Sequence, residues 1–234
     1  MLRRFETYAL APGASGDAVD RLESAMRCCA AHIPEVLDSA VGWNGSDAPV
    51  QLVWEHAFAD PAAYRRYMAH PFHATVLDRF ILQDSPECVV APDTLGAGLV
   101  GYQLTSPRYR LSSGLRRLVL LRLDAAASPG AWGALGRRLA ALVGEVAGMA
   151  VSVPAENTLG AAWFDGETPV GPPPRWTHLW EQGFTSSAAL AQYLAGGHEL
   201  AAVERAGTEG WRQWSGGMVR RTAEVHYGIV GPGG

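Results

Sequence analysis

The chain of 234 residues is 48% hydrophobic and 18% charged, with a formal net charge of −4. This composition supports a buried core and lacks the low hydropathy and high net charge of disordered chains. The small negative charge gives no electrostatic basis for binding nucleic acid or an anionic membrane surface. All 19 basic residues are arginines, which excludes reactions that require a Schiff-base lysine or a P-loop lysine.

The cysteines and the N-terminal segment indicate a reducing compartment. Cys28 and Cys29 are adjacent and Cys88 is distant, a pattern that fits neither a disulfide framework nor a zinc site. The N-terminal residues contain no apolar run long enough for a signal peptide, and no segment reaches the roughly 18 consecutive apolar residues of a membrane span. We therefore expect a cytoplasmic protein without membrane contact.

The chain contains an internal repeat. The segments WEHAF and WEQGF superpose when Trp54 is aligned with Trp180, and the residues on either side remain similar. A repeat of this length indicates two related domains rather than a solenoid, whose units are much shorter. We place the first half at residues 1–111 and the second half at 112–234, with the boundary in the polar stretch 105–114.

The first half shows the order strand, helix, strand, strand, helix. The segment 3–10 is typical of a strand, and apolar residues then recur at helical spacing over 19–33. Two further strands are predicted over 36–43 and 50–58. Asp60 is a favourable N-cap for the next helix.

The second half repeats this order. A strand over 116–123 precedes an amphipathic helix over 132–146. The later predicted elements are strands over 150–153 and 176–184, a helix beginning at Ser186, and a strand over 223–229. The order βαββαβ is that of a ferredoxin-like unit, whose two helices cover one sheet face. The predicted fold is therefore α+β, with two tandem ferredoxin-like halves packed sheet to sheet as an intramolecular dimeric α+β barrel.

The run YMAHPFH in the first half carries a recognisable signature. Tyr67, His70 and His73 are arranged around a proline as Y-x-x-H-P-x-H, after a strand and an alanine-rich helix. This pattern resembles the dimeric α–β barrel proteins of the stress-responsive A/B barrel (Dabb) type. In the second half the corresponding run is YLAGGH, where only Tyr193 and His198 remain.

The resemblance implies a chemistry. Some Dabb proteins resemble plant polyketide cyclases, which close a linear polyketide by aldol chemistry without a cofactor. Tyr67 and His73 stand at the spacing of the tyrosine and histidine that work together in the pocket of that group. A further pocket histidine of the cyclases corresponds to Leu52 in the first half and to His178 in the second, so neither half carries the complete set.

Strand alternation predicts one wall of the pocket. Trp54 and His56 share one strand face in the first half, and His178 and Trp180 share the equivalent face in the second. An apolar lining with a few polar groups is what a small-molecule site requires, so we predict that these side chains contact a substrate. The other predicted substrate contacts come from the helices and are His70, Phe80, Tyr193 and His198.

The proline in YMAHPFH gives His73 its predicted role. Pro71 lacks a backbone N–H and disfavours helical conformation in the preceding residue, so the helix should bend or restart there and turn His73 inward. Desolvation would keep the His73 imidazole neutral and available as a base. Tyr67 would hold an enolate or carbonyl oxygen by hydrogen bonding.

Glu55 and Glu181 repeat on the opposite strand face. A carboxylate buried there would need an arginine or hydroxyl partner, which indicates a structural role for each.

No metal or cofactor is predicted. His70 and His73 are separated by the proline, and no nearby cysteine or carboxylate completes a coordination shell. Related barrel families bind haem through a histidine, for which His73 or His198 would be the candidates.

Three function hypotheses follow. The first is a cofactor-independent enzyme of secondary metabolism, a polyketide-type cyclase or lyase-type acid–base catalyst that acts on a small, apolar, carbonyl-bearing molecule. The second is a non-catalytic ligand-binding or stress-responsive barrel protein. The third is a cofactor-free monooxygenase of the related barrel type, in which a phenolic substrate itself activates oxygen. The substrate, the number of active pockets and a homodimer of the fused barrel stay open.

Overall fold

The computed structural model describes residues 1–92, 100–103, 114–159 and 176–229, which divide into two structural units. The first unit comprises residues 1–44, 49–92, 100–103 and 158–159, and the second comprises 45–48, 114–157 and 176–229. The predicted boundary between the halves, at residue 111, lies outside the described residues. Within the described ranges, no helix has both the length and the apolar character needed to cross a membrane.

The first unit is built on a four-stranded antiparallel sheet. Its elements are β1 (Leu2–Tyr8), α1 (Gly16–His32), β2 (Val36–Trp43), β3 (Leu52–Phe58), α2 (Pro61–Met68), a π-helical segment (His73–Leu77), α3 (Asp78–Ile81) and β4 (Val100–Gln103). The strand order across the sheet is β2-β3-β1-β4. This is the arrangement expected of a ferredoxin-like βαββαβ unit.

The second unit has the same topology. Its elements are β5 (Gly114–Leu123), α4 (Pro129–Ala141), a 3₁₀ turn (Leu142–Gly144), β6 (Met149–Glu156), β7 (His178–Phe184), α5 (Ser187–Ala195), α6 (Glu199–Arg205), α7 (Gly207–Trp214) and β8 (Val219–Ile229). The strand order is β6-β7-β5-β8. The predicted α+β fold with tandem ferredoxin-like halves is confirmed. The packing of one half on the other stays a prediction.

The helices form where the sequence pattern predicts them. In α1 the positions at helical spacing are all buried: Val19, Leu22, Met26, Cys29 and, just after the helix, Ile33. Both predicted N-caps are also confirmed, because the side chains of Asp60 and Ser186 each accept a backbone N–H three residues later, at 2.8 and 3.1 Å.

A tryptophan–serine pair ties each sheet to its first helix. In the first unit the Trp54 indole N–H donates to Ser39 Oγ (2.9 Å), and the Ser39 hydroxyl donates to the Met26 carbonyl of α1 (3.0 Å). The second unit repeats this chain with Trp180, Ser152 and the Leu139 carbonyl of α4, at 2.8 and 2.6 Å. The repeat therefore preserves buried hydrogen bonds as well as the topology.

The repeated glutamates have arginine partners, as predicted. Glu55 lies 3.4 Å from the Arg3 guanidinium, and Glu181 forms an ion pair with Arg116. All four side chains are buried, so each charge is compensated within its own unit. The predicted arginine partners are therefore present, and a structural role for both glutamates stays a prediction.

The helix is interrupted at the predicted place. α2 ends at Met68, and the chain resumes a helical path at Pro71. The π-helical turn that follows buries His73 and Leu77, and α3 buries Phe80. The proline therefore turns His73 inward, as the sequence predicts.

Candidate functional site

The candidate site of the first unit lies where β1 and β3 face α2. Arg4 is paired with His56 in the antiparallel register, so their side chains leave the sheet side by side on the same face. Tyr67 approaches from α2, and Arg4 Nη1 donates a hydrogen bond to its hydroxyl oxygen at 3.2 Å. The tyrosine hydroxyl is thus held beside a buried positive charge.

A carboxylate on the same strand fixes the Arg4 guanidinium. Arg4 Nη2 donates to Glu6 Oε1, and the Tyr8 hydroxyl donates to Glu6 Oε2 at 2.5 Å. Burial lowers the pKa of Arg4, but Glu6 and the surrounding tyrosines outweigh it and raise that pKa well above its ordinary value. Burial raises the pKa of Tyr67, which Arg4 opposes only in part, so Tyr67 is a neutral O–H donor at neutral pH.

Two neutral imidazoles flank Tyr67. The ring centroids of His73 and His56 lie 4.6 and 5.3 Å from that of Tyr67, and the two histidines are 4% and 1% exposed. Burial, with Arg4 and His70 adding to it, lowers the pKa of His73 to about 3. Burial and Arg4 hold the pKa of His56 well below its ordinary value. Among the described residues, neither His56 ring nitrogen nor His73 Nδ1 has a hydrogen-bond partner.

The π-helical turn brings a carboxylate to His73. Asp78 Oδ2 lies 3.5 Å from His73 Nδ1, and the Asp78 backbone N–H donates to the His73 carbonyl in the π-helical pattern. In an α-helix, residues five apart point about 140° away from each other, whereas the wider π-turn brings them closer to the same side. The contact is of ion-pair length without a hydrogen bond, so a proton on His73 would strengthen it.

The other predicted first-half residues have different positions. The Trp54 ring lies 3.8 Å from that of His56, and its contact with a substrate stays a prediction. Phe80 belongs to the hydrophobic core. The ring of His70 is at the chain turn, where its Nδ1 accepts the Phe72 backbone N–H at 3.2 Å. His70 therefore stabilises the turn, and its role as a substrate contact stays a prediction.

The second unit retains the arginine and changes its partners. Arg117 is paired in register with Gln182, as Arg4 is with His56. Arg117 Nη1 donates to Gln182 Oε1 (2.9 Å) and to Glu204 Oε2 (2.8 Å), and its Nη2 donates to Glu224. No imidazole takes the place of His56 here.

The predicted second-half histidines have neighbours other than Arg117 in the hydrogen bonds and ring contacts that they make. His178 begins β7, with its Nδ1 3.0 Å from Thr177 Oγ1 and its ring 4.1 Å from that of Trp132, and burial lowers its pKa to about 4. His198 is the N-cap of α6, where its Nδ1 accepts the Leu200 backbone N–H at 3.2 Å.

The predicted aromatic contacts of the second half are buried. The Trp180 ring packs against that of Trp211 at 6.0 Å. Tyr193 lies 6.0 Å from the ring of His198 and 5.8 Å from that of Phe184. Contact of any of these side chains with a substrate stays a prediction.

Arg4, Glu6 and Asp78 are not among the site residues predicted from the sequence. A signal for the arginine was present, because both halves begin their first strand with Arg-Arg, at 3–4 and 116–117. One arginine of each pair neutralises the buried glutamate, and the other enters the site. Asp78 gave no such signal, because its contact depends on the π-helical turn.

The described residues offer no metal site, since no group of three or more His, Cys, Asp or Glu side chains among them could hold an ion. A cavity of about 460 Å³ lies beside Arg117 in the second unit. The residues that line this cavity include no His, Cys, Met or Tyr, the side chains that ligate haem iron. The cavity therefore does not fit haem, and His198 uses one ring nitrogen as a helix cap.

No protein-family model matches the sequence, and no curated protein matches it. The structure is similar to an anthrone oxidase-like protein, with a TM-score of 0.60 and 12% identity, covering 98% of this chain and 90% of that one. A candidate monooxygenase from Lactobacillus acidophilus NCFM gives a TM-score of 0.52 at 12% identity, covering 98% and 92% of the two chains. Chlorite dismutase from Candidatus Nitrospira defluvii gives 0.54 at 12% identity, covering 98% and 90%. At these identities the similarity shows the fold alone, and the Dabb type stays a prediction.

Proposed function

We propose that the first unit is the reaction site of a cofactor-independent enzyme that removes a proton from carbon next to a carbonyl group. The observation that supports this most directly is the neutral His73 imidazole, buried beside a tyrosine hydroxyl that accepts a hydrogen bond from Arg4. Such a site combines a base with a donor for the negative charge that the reaction creates.

The roles of the side chains follow from their charges. The substrate carbonyl oxygen accepts the Tyr67 O–H, and the Arg4 cation behind it stabilises the enolate oxygen as charge develops there. His73 takes the proton from carbon and becomes an imidazolium. Asp78, 3.5 Å from Nδ1, then faces a positive charge and holds the ring in place. Burial makes the interaction of Arg4 with the enolate oxygen and that of Asp78 with the imidazolium stronger than they would be in water.

The enolate then determines the product. In an aldol closure, its carbon attacks a second carbonyl of the same molecule, and the resulting alkoxide takes the proton back from His73. In a Claisen-like closure, a leaving group departs instead and carries the proton. A small, apolar, polyketide-type substrate with two suitably spaced carbonyls would undergo either reaction, which makes a cyclase the first candidate.

A cofactor-free monooxygenase is the second candidate, supported by the descriptions of two fold neighbours as anthrone oxidase-like and as a candidate monooxygenase. It shares the first step with the cyclase. The carbanion transfers electrons to O₂ instead of attacking a carbonyl, and for anthrone the balance is anthrone plus O₂ to anthraquinone plus water. The substrate is the reductant, so the same base and oxyanion donor suffice.

Substrate binding must be coupled to a local opening. Tyr67, His56 and His73 are each at most 4% exposed, so a ligand reaches them only after neighbouring side chains move. We place this movement at the interruption between Met68 and Pro71, because the helix is not continuous there.

The first step can be tested without knowing the natural substrate. Anthrone and 1-phenylbutane-1,3-dione are incubated with the full chain in D₂O, and deuterium at the acidic carbon is followed by mass spectrometry with an oxygen electrode in parallel. We expect exchange above the buffer rate, lost in His73→Gln and reduced in Tyr67→Phe. His32→Gln, the same replacement on an exposed histidine, should match the parent protein.

The outcomes separate the three hypotheses. Exchange with O₂ uptake indicates a monooxygenase, and exchange without it indicates a cyclase-type enzyme. Binding of both probes with no exchange above the buffer rate would show a binding protein and would refute the proposal.

A further inference from the structure

The second unit contains a cavity that the proposed reaction does not use. It has a volume of about 460 Å³ and lies between strands β5 and β8 and the helices α6 and α7. Its apolar wall includes Val119, Leu194 and Trp211, and its polar groups include Glu224, Thr208 and Thr222. This volume and this mixture of groups are those of a small-molecule site.

The charge at the inner end of the cavity differs from that in the first unit. There, Arg4 faces the single carboxylate of Glu6, and the pair is neutral. In the second unit, Arg117 faces both Glu204 and Glu224, so one cation meets two carboxylates. The arginine of the second unit therefore has one more carboxylate beside it than the arginine of the first.

Only one of these carboxylates is available to a ligand. Glu204 is buried, and its two oxygens accept bonds from Arg117 (2.8 Å) and from the Gln182 amide (3.2 Å). Glu224 uses one oxygen for Arg117, and its other oxygen has no hydrogen-bond partner among the described residues. The Glu224 side chain is 41% exposed, so that oxygen can accept a bond from a bound molecule.

The remaining lining favours an organic cation over an anion. Arg117 is already paired with two carboxylates, so an anionic ligand placed beside it would meet their negative charges. Arg205 also lines the cavity and remains positively charged, but its Nη1 donates to the carbonyl oxygens of Leu194 and Gly196 at the end of α5 and is not free for a ligand. Trp211 supplies an aromatic wall, and indole rings attract cations placed over their faces.

We infer that the second unit binds a small organic cation, with its ammonium group on the free oxygen of Glu224 and its hydrocarbon body against Trp211, Leu194 and Val119. The Thr208 and Thr222 hydroxyls, 3.0 Å apart, offer a further hydrogen bond to the ammonium group. The inference rests on residues of the second unit alone and does not depend on the reaction proposed for the first.

Three probes of similar shape test this inference by isothermal titration calorimetry on the full chain at neutral pH. The probes are 3-phenylpropylammonium, uncharged 3-phenylpropan-1-ol and anionic 3-phenylpropanoate. We expect the cation to bind and the alcohol to bind about tenfold more weakly, because the alcohol lacks the contact between the ammonium group and the Glu224 carboxylate. The anion should not bind.

Two variants locate the binding. Glu224→Gln keeps the shape and should weaken binding of the cation about tenfold. Glu156→Gln makes the same charge change on an exposed residue of β6 and should leave binding unchanged. Leu194→Trp fills the cavity without changing its charge and should abolish binding even if Glu224→Gln proves unstable.

Three results would refute the binding of an organic cation at this cavity. No heat with the cation at millimolar concentration, equal binding of all three probes, or full binding by Leu194→Trp would each overturn the inference. His73→Gln should bind the cation like the parent protein, so failure of the reaction proposed for the first unit can be told apart from failure here.

Discussion

The buried neutral state of His73 makes the protein sensitive to acid, and the size of the effect can be calculated. An unfolded histidine titrates at about 6.5, whereas the folded protein lowers the pKa of His73 to about 3. Below pH 6.5 the unfolded state therefore binds a proton that the folded state does not, and stability falls as the pH falls. Each pH unit below 6.5 costs about 1.4 kcal/mol, so His73 should remove about 2 kcal/mol of stability between pH 7 and pH 5.

The measurement is urea unfolding at both pH values for the parent protein and for His73→Gln. Glutamine does not titrate, so the loss of unfolding free energy from pH 7 to pH 5 should be about 2 kcal/mol smaller in the variant. Comparing the pH dependence within each protein cancels any constant effect of the substitution. His32→Gln, on an exposed ring, should show the same loss as the parent. An equal loss in His73→Gln would mean that the folded protein protonates His73 as readily as the unfolded chain does, which would refute the lowered pKa of the buried ring.

Three further predictions concern single contacts. Ser39→Ala should lower the unfolding free energy by about 1–3 kcal/mol in urea unfolding, because the buried Trp54 indole N–H loses its acceptor. An unchanged urea midpoint would contradict the hydrogen bonds from Trp54 through Ser39 to Met26. Asp60→Ala should cost about 1 kcal/mol in the same assay through loss of the α2 cap, and Asp60→Asn much less. Asp78→Asn should slow deuterium exchange of a bound probe about tenfold without weakening its binding, because Asp78 stabilises only the protonated form of His73. If binding of the probe weakens about tenfold as well, Asp78 has a purely structural role.

The sequence predicts the architecture well because each element is specified locally. The helical spacing from Val19 to Ile33, the N-caps at Asp60 and Ser186, and the proline that interrupts the helix all act within one or two turns. The repeat then supplies the topology twice, so the second half confirms the order found in the first. These features depend on neighbouring residues, which the sequence shows directly.

Two deviations from the predicted elements have identifiable causes. The strand predicted over 150–153 continues to Glu156 through Pro154, because β6 is an edge strand, where a missing N–H can be tolerated. The single helix predicted after Ser186 is three short helices, since the chain breaks at Gly196 and again at Gly207, whose φ of +60° favours glycine.

The site itself could be predicted only in part. Tyr67 and His73 belong to one local run, and the inward direction of His73 follows from Pro71. Arg4 enters the site because the register of β1 on β3 sets it opposite His56, and a pairing between strands so distant in sequence is not readable from local pattern. Asp78 reaches His73 only because the intervening turn is π-helical, a rare conformation with no clear sequence signal.

The comparison of the two units shows how one scaffold can support different chemistry. Arg4 and Arg117 occupy the same strand position, so the fold itself supplies a buried cation to each unit. What differs is the group beside it, an imidazole in the first unit and the Gln182 amide in the second. A cation beside a neutral imidazole can stabilise an oxyanion while a proton leaves carbon, whereas a cation held between two carboxylates has no capacity left for one. The residue at this strand position and the carboxylates near it therefore distinguish the reaction site that we propose for the first unit from the binding site that we propose for the second.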